Sequence, residues 1–198
     1  MLPTSADRPE LLVAVPTYDY RALIQSVLEL EMTAIALGRS IRFVIGDGSN
    51  RPRARNVIVD NLQQEFPQDE IRWVLWWDSD LLVPPGTAPV LAAALQWAEA
   101  QAAAVVADYP TERGPTSLGP RCSGSAPFSV AERAQLPTPY PRVGRGGLGL
   151  AYVPQPLGYR FHADRVSEDT HFWCDHPEIS IHWMNAVRVV PYRRVLMA

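Results

Sequence analysis

The chain has 198 residues, 47% of them apolar, and a formal net charge of −3. That suits one domain with a core of its own and offers no basic footprint for nucleic acid. All 18 basic residues are arginine, which excludes a P-loop lysine, a Schiff-base lysine and the lysine of haloacid-dehalogenase-type phosphatases.

Residues 11–15, Leu-Leu-Val-Ala-Val, form a short continuous apolar run, as expected of a strand buried on both faces. The spacing of Leu23, Val27, Leu30, Ala34 and Leu37 predicts a helix over 20–37, stopped by Gly38. A second strand is predicted at 41–45, running into the turn-rich Gly46-Asp47-Gly48-Ser49-Asn50. Pro52 suits a helix start, and Ala54, Val57, Ile58 and Leu62 give that helix a buried stripe. A third strand spans 71–77 and ends in Asp78-Ser79-Asp80, then Pro84-Pro85-Gly86. An alanine-rich helix around 91–106 leads into a fourth strand at 103–107. Gln96, Glu99 and Gln101 interrupt that helix, so it does not read as a membrane span.

From 110 to 145 the chain is rich in proline, glycine and serine, which predicts a long flexible loop, with a substrate lid as its candidate role. A strand near 148–153, a polar segment holding Ser167-Glu168-Asp169, and a last strand near 179–190 follow. The expected organisation is a single domain over 1–198: a nucleotide-binding half at about 10–109, the loop 110–145, and an acceptor half at 146–198. Asp7 and Glu10 stand before the first apolar run, unlike a signal peptide. The two cysteines, Cys122 and Cys174, read as reduced thiols of a cytoplasmic protein.

Strand-helix-strand order with short connections predicts an α/β fold, with a mostly parallel, Rossmann-like sheet and helices on both faces, a three-layer sandwich. Ligands of such sheets sit beyond the carboxyl ends of the strands. Pro16-Thr17, Asp47, Asp78-Ser79-Asp80 and Asp108-Tyr109 all lie at such ends. Aspartates two apart on an extended segment can face one site. Their mutual repulsion is relieved by a divalent cation, and oxygen ligands suit Mg²⁺ or Mn²⁺. Such a cation can hold a diphosphate and take up its charge on departure. The competing reading of the triplet is a solvated turn.

Five segments together resemble the GT-A-type glycosyltransferases, the nucleotide-diphospho-sugar transferases akin to glycosyltransferase family 2. They are Val13-Ala14-Val15-Pro16-Thr17, Ala54-Arg55-Asn56, Trp77-Asp78-Ser79-Asp80, Gly146-Gly147-Leu148-Gly149 and Ser167-Glu168-Asp169. The resemblance implies the GT-A fold, a nucleoside-diphosphate sugar as donor and a divalent metal at Asp80. Asp78 would contact ribose or metal, and Pro16, Thr17 and Tyr18 would line the nucleoside pocket. The Arg55-Asn56 helix would lie beside the donor, and Gly146 and Gly147 would border the sugar. Asp47 and Ser79 join the donor-binding set as strand-end neighbours. The Glu168-Asp169 pair would supply a general base, Asp169, that takes the proton of an acceptor hydroxyl in an inverting transfer. Many relatives carry a metal-binding histidine near the end of the last strand. Here that end reads Val190-Pro191-Tyr192, leaving His182 as a substitute ligand.

Other patterns weigh less. Arg51, Arg53 and Arg55 open a helix, where phosphate is attracted, although a solvated basic turn has the same composition. Residues 144–149 match Gly-x-Gly-x-x-Gly, but prolines precede them and a strand follows, which is not the dinucleotide context. Glycines there would let a substrate approach the backbone. Ser167 or Thr170 could equally cap a helix. His171, Cys174 and His176 lack a second ligand cluster, so structural zinc is not expected of them.

The expected function is metal-dependent transfer of a sugar from a nucleotide sugar to a sugar, lipid or protein hydroxyl. The alternatives are a nucleotidyltransferase on a similar sheet and a non-catalytic nucleotide-sugar-binding module.

Overall fold

The computed structural model describes residues 10–17, 24–67, 69, 71–111, 116–120, 125–137, 139–162 and 168–191. The elements are β1 (Glu10–Thr17), α1 (Ile24–Ala36), β2 (Ser40–Asp47), α2 (Arg51–Gln63), β3 (Ile71–Trp77), β4 (Leu81–Leu82), α3 (Ala88–Gln101) and β5 (Ala104–Asp108). They continue with α4 (Val130–Ala134), β6 (Arg142–Val143), β7 (Leu150–Pro156), α5 (Glu168–Asp175), β8 (Ile181–Arg188) and β9 (Val190–Pro191). Seven strands form one sheet in the order β2-β1-β3-β7-β5-β8-β6, and β4 pairs with β9. Strand β1 is parallel to β2 and β3, and β5 to β8. Strand β7 runs antiparallel to both β3 and β5, and β6 antiparallel to β8. The chain is therefore a mixed α/β fold around a mostly parallel sheet.

Alternation along the strands builds two cores. Leu11, Val13 and Val15 of β1, with Leu75, Trp77, Val105 and Tyr152, meet Leu30 and Ala34 of α1 and Leu91, Leu95 and Ala98 of α3. Leu12 and Ala14, with Val74, Trp76, Val106 and Ala151, meet Ile58, Val59 and Leu62 of α2 and Phe172 and Trp173 of α5. Period-2 burial on both faces is what the continuous apolar runs predict.

Helix boundaries follow local chemistry. Gly38, at φ +68, ends α1 in the left-handed conformation that glycine adopts without strain. Asn50 caps α2 by accepting from the Arg53 N–H at 3.0 Å, and Pro52 sits in the first turn. Helix α3 stops at Gln101 rather than near 106, so 104–108 belong to β5 alone. The last predicted strand is two pieces, β8 and β9, on different sheets.

The segment 110–145, expected as a loop, carries α4 and β6 among its described residues. Strand β6 extends the main sheet at the edge of β8. Asp108, at the end of β5, ties the segment down. Its carboxylate accepts from Thr116 Oγ1 at 2.5 Å and from the Ser117 N–H at 3.1 Å, and it pairs with Arg133 of α4. Among the described residues, no helix is long and apolar enough to cross a membrane.

Candidate functional site

The carboxyl ends of β1, β2 and β3 lie side by side, with Thr17 opposite Asp47 and Ala14 opposite Trp76 in register. The Gly48 N–H donates to the Thr17 carbonyl at 3.3 Å, holding the first two ends together. Strand β7 begins where β3 ends, so the Asp78 N–H donates to the Gly149 carbonyl at 2.7 Å. Asp78 and Ser79 are buried, and the turn closes as the Leu81 N–H donates to the Asp78 carbonyl at 2.9 Å. Asp78 is thus fixed at the β3 end, with Asp80 in the turn that follows. Pro16 and Thr17 stand beside it on β1. Tyr18 and Ser167 lie outside the described residues.

Arg55 is the centre of the site. Its side chain is 0% exposed. Nη2 donates to Asp78 Oδ1 at 3.1 Å, while Asp169 Oδ1 is 3.6 Å from the same nitrogen and Glu168 Oε1 is 3.9 Å from Nε. The guanidinium also lies over the Trp76 ring at 4.9 Å and near that of Phe161 at 5.7 Å, a setting suited to a planar, weakly hydrated cation. Burial works against its charge, and Asp78, Asp169 and Glu168 together outweigh that cost, holding Arg55 above its usual range. This corrects the expectation of a phosphate contact. Arg55 is a buried counter-ion that joins the end of β3 to the first turn of α5.

Arg51, one helical turn earlier on the same face, is 46% exposed and reaches Asp80 Oδ2 at 3.6 Å and Asp78 Oδ2 at 3.9 Å. The repulsion within the acidic pair is therefore met in part by arginine. Asp80 is itself 41% exposed. These are hard oxygen donors with an open side, so the residues fit a divalent cation. Asp80 is the more accessible of the two carboxylates, while one oxygen of Asp78 is committed to Arg55.

Glu168 and Asp169 form the first turn of α5, where negative charge is favoured by the helix dipole. Burial pushes the Asp169 carboxyl up to about 7, with the Glu168 and Asp78 charges adding to the shift; Arg55 and the Leu148 N–H pull it down. A carboxyl so placed is poised to exchange a proton near neutral pH.

Three other expectations change. The Asn56 amide donates to the Phe161 carbonyl at 2.7 Å and accepts from the Phe161 N–H at 2.8 Å. It clamps the chain after β7 to α2 rather than facing a donor. The glycines 146 and 147 make room for protein, not substrate. A Cβ on Gly146 would meet Val106 Cγ2 at 2.4 Å, and the Gly146 carbonyl accepts from Trp173 Nε1 at 2.6 Å. A Cβ on Gly147 would stand 1.9 Å from the Tyr109 hydroxyl. His182 contacts the Trp97 ring of α3 at 4.8 Å and bonds through Nδ1 to the Tyr140 carbonyl at 2.9 Å. That is the α1/α3 face of the sheet, whereas Asp78 meets Arg55 on the α2/α5 face. The sheet separates His182 from the carboxylates, so it does not complete their coordination.

Tyr109, which the sequence placed at a strand end without a role, belongs to the site. Its hydroxyl accepts from the Gly149 N–H at 3.0 Å. Burial, then the Asp169 and Asp78 charges, push it well above the ordinary phenol value, so it keeps its proton. Position just past the end of β5 was its one visible signal. Gly147→Ala is expected to lose about 1–3 kcal/mol by overpacking against Tyr109. Tyr109→Phe in the same chain should recover part of that loss, read as coupling in a denaturation double-mutant cycle. Additive losses would contradict this packing.

No protein-family model matches the chain, and no curated protein matches it. Among solved structures, it is similar to a glycosyltransferase involved in the glycosylation of the major capsid of PBCV-1. The similarity has 13% identity and a TM-score of 0.42, covering 86% of this chain and 68% of that one.

Proposed function

We propose that the chain is a metal-dependent glycosyltransferase with a GT-A-type three-layer sandwich, moving a sugar from a nucleoside-diphosphate sugar to an acceptor hydroxyl with inversion. The observation that carries this reading is the convergence of Asp78, Glu168 and Asp169 on Arg55 at the carboxyl end of the sheet, with Asp169 raised to about 7. A strand-end position is where α/β sheets bind ligands.

In this reading Pro16, Thr17 and Asp47 border the nucleoside, and Asp80, with the outer oxygen of Asp78, would hold Mg²⁺ or Mn²⁺. A cation bound there would take up the charge of the departing nucleoside diphosphate. Arg51 swings from Asp80 toward phosphate as the carboxylate changes partner. Asp169 accepts the proton of the acceptor hydroxyl as that oxygen attacks the anomeric carbon. Arg55 keeps Asp169 aligned and holds its affinity for the proton from rising further. Tyr109, which keeps its proton, is available to donate a hydrogen bond within the site.

The test is thermal melting with Mn²⁺ against a panel of nucleoside-diphosphate sugars. A donor at a hundredfold excess over its Kd stabilises by about 2.7 kcal/mol, a readily measured rise. One donor should raise Tm with Mn²⁺ present and much less without it. No rise across the panel removes the donor site, and release of pyrophosphate from a nucleoside triphosphate would establish nucleotidyl transfer instead.

A further inference from the structure

Away from the strand-end carboxylates, a second group of side chains has the chemistry of a metal site. His162, His171 and Asp175 each offer one ligand atom, and these atoms lie within 4.8 Å of one another. His171 and Asp175 are four apart on α5 and share a face. His162 arrives from the chain after β7. That segment is held against α5 by the stacked rings of Phe161 and Phe172, 5.9 Å apart, and against α2 by Asn56. The two imidazoles sit 4.4 Å apart, tilted by 48°.

The surroundings orient the ligands. The Tyr159 hydroxyl donates to Asp175 Oδ2 at 3.2 Å. His162 Nδ1 lies 3.3 Å from the Arg160 carbonyl. In the tautomer that donates from Nδ1 to that carbonyl, Nε2 carries the lone pair, the arrangement common for metal-bound histidine.

We propose that His162, His171 and Asp175 bind a zinc-class ion, with water in the fourth position. Two imidazoles and a carboxylate suit Zn²⁺, whereas Mg²⁺ and Ca²⁺ take oxygen-only shells. Tetrahedral zinc, with bonds near 2.0–2.1 Å, spaces its ligand atoms roughly 3.3 Å apart, so modest rotamer changes close the site. His162 and Asp175 are exposed, which gives the ion a way in. The bound ion pins the segment 159–162 to α5, the helix whose first turn holds Glu168 and Asp169. Sequence alone directed attention to His171 with Cys174 and His176; the fold pairs His171 with other partners.

The experiment uses the full chain, stripped with chelator and dialysed, titrated with Zn²⁺ by calorimetry and with Co²⁺ by visible absorption. One equivalent should bind with the intense d–d bands of tetrahedral Co²⁺, distinct from any ion on the oxygen-only strand-end carboxylates, and Zn²⁺ should raise Tm. His171→Ala and Asp175→Ala should each weaken binding at least roughly tenfold and abolish the Tm rise. His176→Ala and Glu178→Gln, both outside the cluster, should bind as the parent does. Tetrahedral Co²⁺ bands that survive both His171→Ala and Asp175→Ala, or no such bands at all, would overturn the site.

Discussion

Arg55→Met is expected to destabilise the fold by about 3–5 kcal/mol, the usual cost of removing one partner from a buried ion cluster. For a chain of this size that is a fall in Tm on the order of 10 °C. Methionine fills much of the volume, so the loss reports charge rather than a cavity. The effect also has a pH signature. The Asp169 carboxyl stands at about 7 while Arg55 pulls it down, so removing Arg55 moves it higher. Its folded value lies above the ordinary 3.8. Its contribution to stability is therefore complete below that ordinary value and is lost as pH rises through the folded value. In the parent the loss accumulates from about pH 4 and is complete near pH 7; in the variant it continues upward. The deficit between the two should be smaller at pH 6 than at pH 8.5. Arg55→Lys should recover only part, because a single ammonium cannot reach three carboxylates as a guanidinium fork does. Melting curves at both pH values decide the matter. A variant within 1 kcal/mol of the parent at pH 8.5 would mean that Arg55 is not the counter-ion of the cluster.

That cluster marks where the sequence is legible and where it stops being so. The first half reads well because both cues are local. Apolar runs of five to seven residues predict β1, β2, β3 and β5 to within a few residues, and the strand-end rule brings Asp78, Asp80 and Thr17 together. Strand β7 is visible as an apolar run, but its direction is not, since a strand buried on both faces has the same pattern either way. Its reversal is tertiary. Tyr109 packs into the space left by Gly147 and Gly149, so the returning chain enters the sheet at the end where β5 leaves it. Helix α4 had a readable start, because Ser129 and Glu132 form a capping box. Strand β6 had none, since a two-residue strand exists only through its pairing with β8. The roles of Arg55 and Asn56 were misjudged for one reason. A helix start with arginine suggests phosphate, and only the fold shows that Asp78, Glu168, Asp169 and Phe161 close over those side chains first.

Asp169→Asn is the sharpest test of the proposed chemistry. Asparagine keeps the shape and removes the proton acceptor. General-base catalysis contributes about 10²–10⁴-fold, so transfer should fall by that range while donor binding, read as the Tm rise with Mn²⁺, is retained. In the parent, kcat/KM should climb with unit slope below about pH 7 and level off above it, because the base works only after losing its proton and its carboxyl is raised to about 7. Glu168→Gln separates a catalytic from a structural role. The Glu168 charge raises the Asp169 value, so its removal should move the rising limb to lower pH and leave a plateau. A residue needed only for folding would lower the whole profile without moving that limb. If the limb sits near pH 4, or Asp169→Asn stays within tenfold of the parent, the proton goes elsewhere. Tyr109 keeps its proton throughout this range, so it could not produce a limb near neutrality in place of Asp169.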